Sequence, residues 1–453
     1  TKLHKMRKKW IPGFSILIIV ALVSLLDVSA SGEVTVDPNL NGADTAWMLA
    51  ATGLVLLMTP GLSFFYGGMV NKRSVISTML QSFICMGVIT LVWVLCGFSL
   101  AFGDSIGGII GDPRTFAFFK GVGGATQADL APTIPFVLFA LFQMKFAIIT
   151  PALITGSFAE RVRFSSFLLF IILFSLVIYS PLAHMTWHPD GFLRQWGVLD
   201  FAGGTVVHMS AGFAAIAAAI ILGKRKNHGT VAHQPANVPY VLLGTGLLWF
   251  GWFGFNAGSA LGANSDAALA FATTTVASAA AMLAWVFYDA LMGRKISGMG
   301  ASIGAVVGLV AITPAAGFVT IGQSVFIGVT AAIISNIVVY YKNKTGIDDT
   351  LDVFPCHGVG GIVGMILTGV FAKDVGLIYG DPTTFLRHLA AVFLVGGFTF
   401  GLSYLLFKVT DMIIPMRVTE QAEELGLDIS QHNESIVTDD IEAEIQGSLK
   451  KAS

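Results

Sequence analysis

The sequence predicts an all-α polytopic membrane protein of eleven transmembrane helices, built as an inverted five-plus-five repeat and a last helix. Three observations lead there. Apolar residues fill 55% of the 453 positions and charged residues only 12%, against roughly a quarter charged in an ordinary soluble domain. Apolar runs of the length needed to cross hydrocarbon, about twenty residues, recur along nearly the whole chain. Two histidines, His208 and His357, stand inside such runs, in DFAGGTVVHMSAG (200–212) and DVFPCHGVGGIVG (352–364). Imidazole is costly to place in hydrocarbon, so each is expected to face a bundle interior or a pathway. One buried histidine is more often a satisfied core residue. Two in matching segments argue for a polar line through an apolar channel.

The elements follow in chain order. Residues 1–30 read as a signal peptide: Lys2, Lys5, Arg7, Lys8 and Lys9 form a basic start, Ile11 to Leu26 an apolar core, and Val28-Ser29-Ala30 a small-residue cleavage site. The competing reading is an uncleaved first helix. Residues 31–415 form the transmembrane domain. Its first four spans are read at 45–70, 75–103, 133–159 and 164–184, and the next four at 200–223, 238–262, 268–293 and 299–317. The last three are 320–341, 355–372 and 387–415, and the polar residues 416–453 make a tail. The mean hydropathy of +0.77 and the 51 glycines suit closely packed membrane helices, since small residues let backbones approach.

Orientation comes from loop cations. One set of loops holds Lys72, Arg73, Arg161, Arg163, Lys224, Arg225, Lys226, Arg294, Lys295, Lys342 and Lys344, and the other only Arg114, Lys120, Arg194 and Lys373. The bias places the mature N-terminus outside the cell membrane and the tail in the cytoplasm. Spans one to five end in the His208 segment and spans six to ten in the His357 segment. Five is odd, so the halves must be inverted relative to one another. The shared marks are an Asp ahead of each His, small residues after it, and a Gly/Phe-rich opening helix.

The composition also excludes. No basic cluster argues for nucleic acid. Cys85, Cys96 and Cys356 all lie in apolar segments and read as small buried hydrophobes. A metal enzyme built on His208, His357 and Cys356 is set aside, because adjacent Cys356 and His357 should point to different sides of a helix and no further ligands cluster nearby. Neither a metal nor a cofactor is expected.

Five segments carry a family resemblance: PGLSFFYGGMVNKRS (60–74), FAERVRFS (158–165), DFAGGTVVH (200–208), GWFGFNAGSA (251–260) and DVFPCHGVGGIVG (352–364). With these in order, the chain resembles an ammonium transporter of the Amt/Rh family, on the Amt side, from about Asp44 to Glu434. The resemblance implies a homotrimer. It also implies that His208 and His357 are twin histidines, hydrogen-bonded inside a narrow pore. A neutral imidazole has one donor and one acceptor nitrogen, so such a pair can pass a proton.

Trp187, Phe146, Phe255 and Ser259 match the family's outer recruitment site, where aromatic faces attract a compact cation. Phe146 and Phe255 also match the stacked pair that closes the pore. Asp200 matches an acid near that site and has two competing roles: drawing in cations or capping the helix start. Gln143 and Trp252 fall around the same region as supporting residues. Asp352 and Thr313-Pro314-Ala315 read as turns or caps. Lys145 departs from the family, which has a small or apolar residue there. It either snorkels to the surface or puts a fixed cation beside the gate.

The implied activity is net ammonium uptake: ammonium is bound outside and deprotonated, and ammonia crosses the histidine pore while the proton moves separately. The tail, MRVTEQAEELGLDISQHNES (416–435), resembles the family's regulatory segment, which implies a PII-type signalling protein as cytoplasmic partner beside the surrounding lipid. Asn433 stands where the family has glycine. The alternative is an ammonium-sensing receptor with little flux, signalling through the tail. A cation-coupled symporter would carry more intramembrane carboxylates than this chain does.

Overall fold

A computed structural model describes residues 2–25, 37–230 and 233–436. The proposed cleavage site at Val28-Ser29-Ala30 and everything beyond residue 436 lie outside the described residues. The first helix, α1 (Lys2–Ser24), contains Pro12, and its apolar side chains from Trp10 onward are exposed.

Eleven helices follow, one for each expected span. They are α2 (Gly42–Met69), α3 (Val75–Phe102), α4 (Phe136–Ile154), α5 (164–187), α6 (Gly204–Leu222) and α7 (Val238–Ala257). Then come α8 (Ser265–Leu291), α9 (Gly298–Ile312), α10 (Ile321–Lys342), α11 (Phe354–Phe371) and α12 (Thr383–Ile413). Among the described residues, ten helices are long and apolar enough to cross a membrane. The element at the expected span 299–317 differs: α9 has 15 residues, about 22 Å of helix, and turns carry the chain on to residue 318. It packs among α7, α8, α10 and α11 and is buried nearly throughout.

Helix starts explain the boundaries. Asn41 accepts from the Ala43 and Asp44 amides to begin α2, Asn264 caps α8, Ser297 caps α9, and Thr320 with Gln323 forms a capping box on α10. Each satisfies amides that a helix cannot satisfy itself.

α2 and α7 pack along each other, and α6 lies against α11 and α12. The two ends of the bundle differ in character. One holds a vestibule lined by Phe146, Trp187 and Ser259. The other gathers the loop cations expected to be cytoplasmic with a short helix α13 (Glu420–Leu425) from the tail. There Arg163 donates to the Pro415 carbonyl and Arg73 to the Glu424 carbonyl. Lys226 pairs with Glu424. Asp428 accepts from the Ile76 and Ser77 amides at 3.1 and 2.7 Å, capping α3.

Candidate functional site

The site is set by the way α6 and α11 begin. Asp200 accepts four hydrogen bonds within five residues: from the Gly203, Gly204 and Thr205 amides at 2.8, 2.7 and 2.8 Å, and from the Thr205 hydroxyl at 2.5 Å. Gly203 takes φ +127° there, a conformation open to glycine at little cost. α6 then starts with a π-helical turn, Gly204–Met209, which carries His208.

α11 repeats the device. Asp349 accepts from the Phe354 amide at 2.7 Å, and a π-helical turn, Phe354–Val359, carries His357. Both acids stand eight positions before their histidine (208 − 200 and 357 − 349). Asp352, the acid expected at this place, does something else. It adopts φ +58° and pairs with Lys342 at 2.6 Å, because a turn at 350–352 directs it away from the helix start.

α6 and α11 touch at glycine. A Cβ on Gly212 would sit 2.2 Å from the Gly358 Cα, so the crossing exists only without side chains. Beside it, the Nδ1 atoms of His208 and His357 are 3.3 Å apart, with ring centroids at 5.5 Å. Two neutral imidazoles meet this geometry when one donates and the other accepts. Trp252 stacks on His208 at 5.3 Å, and its indole N–H donates to Thr313 at 2.9 Å. Both histidines line a cavity of about 10 Å³ with Phe65, Leu62, Phe255 and Val306, room for about one water-sized molecule. His208 Nε2 is buried and has no protein partner.

Above the pair lies the vestibule, a cavity of about 640 Å³ with Gln143, Phe146, Trp187, Asp200 and Ser259 in its wall. Phe146 and Phe255 stack at 4.2 Å, tilted by 36°. Phe146 belongs to the vestibule wall and Phe255 to the cavity of the histidines, so the two rings separate the compartments. Trp187 meets Phe146 edge-on at 5.8 Å and is held by its N–H donating to the Asp200 carbonyl at 3.1 Å. The Ser259 hydroxyl donates to the Phe255 carbonyl at 2.8 Å, leaving its oxygen able to accept. The Asp200 carboxylate is engaged by its four donors. Lys145 is half-buried and belongs to neither wall.

Below His357, a second cavity of about 10 Å³ is lined by Tyr66, Met69, Leu351 and Cys356 as well as His357. A charged recess of about 680 Å³ lies on the tail side. There Arg225 bridges Asp348 at 2.9 Å and Glu160 at 3.0 Å. Burial opposes the Asp348 charge, but hydrogen bonds and the field of Arg225 and Arg161 outweigh it and hold the carboxyl at about 2. Among the described residues, no three His, Cys, Asp or Glu side chains are grouped to hold a metal.

Sequence reasoning missed Asp349, Tyr66 and Met69. The spacing of eight from acid to histidine was a usable signal for Asp349. Tyr66 and Met69 carry none, since they are ordinary helix-interior residues.

Comparisons with known proteins identify the family. The family model described as Ammonium Transporter Family matches residues 46–437. An ammonium transporter of Aquifex aeolicus is 46% identical over 417 residues, covering 90% of this chain and 97% of that protein. The crystal structure of Candida albicans Mep2 superposes with a TM-score of 0.80 at 35% identity, over 85% of this chain and 88% of that one. A solved structure called Sensor Amt Protein gives 0.80 at 30% identity, over 86% and 98%. The chain is a multi-pass membrane protein and belongs to the ammonium transporter family.

Proposed function

We propose that this chain takes up ammonium by binding it in the aromatic vestibule, stripping one proton near the Phe146–Phe255 gate, and passing ammonia along His208 and His357. The observation that carries this reading is the sequence of compartments: an open vestibule, a stacked aromatic partition, then a one-molecule cavity lined by paired imidazoles. Potassium is close to ammonium in size, so a sieve alone cannot separate them. A desolvated ion is heavily penalised in so small an apolar space. Ammonium alone escapes that penalty, by leaving its proton behind as ammonia. The proton travels separately along the histidine pair. Asp200 serves as the cap that fixes the vestibule floor, and Gln143 and Trp252 support the site.

The wider assembly belongs to the same proposal. Eleven spans, with α9 as the short eighth, form two inverted halves after a cleaved leader, with the vestibule outside and the tail in the cytoplasm. The resemblance supplies the trimer and a PII-type protein at the tail.

The test is the current on a solid-supported membrane after an ammonium jump onto purified protein in liposomes. The expected result is a transient absent with potassium and lost or made unselective by His208→Ala. A parent current equal for potassium and ammonium would overturn the reading. The sensing alternative is favoured by the likeness to the protein called a sensor. It predicts ammonium binding with no current.

A further inference from the structure

The stretch from Val198 to Phe201 lines the vestibule and is neither helix nor strand, so its ties to other elements hold it in place. Three such ties are present. The Trp187 indole N–H donates to the Asp200 carbonyl at 3.1 Å, and the Phe201 amide donates to the Pro314 carbonyl at 3.1 Å. The third involves a histidine that the pathway does not use: the Leu199 amide donates to His388 Nε2 at 2.9 Å.

His388 lies on α12 and is fully buried. Its Nδ1 is 2.7 Å from the Met365 carbonyl of α11. A carbonyl can only accept, so Nδ1 carries the proton and Nε2 presents the lone pair that the Leu199 amide requires. Only this neutral tautomer makes both bonds, and neither nitrogen is left over. Imidazole is costly in an apolar helix, and what this one adds to the packing of α12 on α11 is an acceptor aimed at the vestibule wall.

We propose that His388 is a positioning residue for the bound ammonium. By holding the Leu199 amide it fixes the Asp200 carbonyl in the next residue, and that carbonyl holds the Trp187 ring at the site. The proposal rests on the vestibule being the ammonium site. It has a signature, because the line of contacts runs from His388 through Leu199 and Asp200 to Trp187. It touches neither the Phe146–Phe255 partition nor the paired imidazoles of His208 and His357. Loss of the His388 acceptor therefore lowers affinity for ammonium and leaves discrimination against potassium as it was.

The experiment separates the two bonds of the ring. His388→Asn keeps a donor for Met365 but has no acceptor within reach of Leu199, whereas His388→Gln places an oxygen near the position of Nε2. Both are compared with the parent and with Trp187→Phe, which lacks the indole N–H, by ammonium titration of liposome currents and by calorimetric binding. His388→Asn should raise half-saturating ammonium about three- to tenfold, the worth of one neutral hydrogen bond, at a maximal current near the parent's. His388→Gln should stay within about twofold of the parent. Added to Trp187→Phe, His388→Asn should cost little more, because residues acting through one contact are not additive. Equal shifts in the two His388 variants, or a His388→Asn shift that persists in full beside Trp187→Phe, would overturn the proposal while leaving transport intact. So would a reduced maximal current at unchanged half-saturation. Where a variant does not fold, hydrogen exchange at the Leu199 amide of the parent decides: ammonium should slow it, and an unchanged rate overturns the proposal. If the parent binds ammonium without current, the transport reading fails and the calorimetric shifts still decide the role of His388. A parent that binds no ammonium overturns both.

Discussion

The two helix starts that carry the histidines use one device with unequal support. The Asp200 carboxylate is saturated by donors within five residues of itself, while its backbone carbonyl accepts from Trp187 and the Phe201 amide donates to Pro314. Asp349 takes the Phe354 amide on one oxygen, while its other oxygen is buried without a partner. Its backbone carbonyl accepts from Lys342, which also holds Asp352. The start of α11 is thus tied into the charged recess, which the tail helps to wall. The carboxylate that caps α6 is thus satisfied locally, whereas the one that caps α11 stands beside charged groups near the tail.

The largest effect that would test this contrast is Asp200→Ala. It strands three buried amides and a hydroxyl, each costing about 1–3 kcal/mol, so a loss above about 3 kcal/mol and abolished transport are expected. Asp349→Ala strands one amide and should cost about 1–2 kcal/mol. Melting of the purified protein and current in liposomes check both. If the two variants lose equally, the asymmetry is wrong.

Acid comes next. With its carboxyl held at about 2, Asp348 contributes stability that is fully present above about pH 4 and is lost as pH falls toward 2, about 2 kcal/mol in all. The melting temperature of the parent should fall over that window, and Arg225→Met should flatten the fall. An unchanged slope in the variant would remove Arg225 from the account.

The smallest effect is expected from Lys145→Met. Because Lys145 belongs to neither cavity wall, half-saturating ammonium should stay within about twofold of the parent, since one lost hydrogen bond would move it about tenfold. A current that appears only in the variant would instead place the lysine's charge at the gate and favour the sensing alternative.

Much of this was legible in the sequence, for physical reasons. Apolar runs broken by cations locate helices, because hydrocarbon tolerates few charges, and ten helices among the described residues are long and apolar enough to span. α9 came out short because a helix enclosed by four others need not match the bilayer alone. The paired histidines stood out because imidazole is costly in an apolar run. Asp352 does stand in a turn, as its reading as a turn or cap allowed, but the capping acid Asp349 was passed over because Asp352 is nearer His357 along the chain. Nearness in sequence says little where a positive-φ turn intervenes, and the spacing shared with Asp200 was the better guide.

The contact of Gly212 with Gly358 has a mechanical consequence. Where two rods touch backbone to backbone, they share a fulcrum, and rocking one about it moves nearby points little and distant points much. His357 adjoins that fulcrum in sequence, and His208 lies four residues from it, about 6 Å along the axis. Thermal rocking that displaces the helix ends by several ångströms is geared down before it reaches the imidazoles. The paired imidazoles therefore stand where such rocking moves the two helices least.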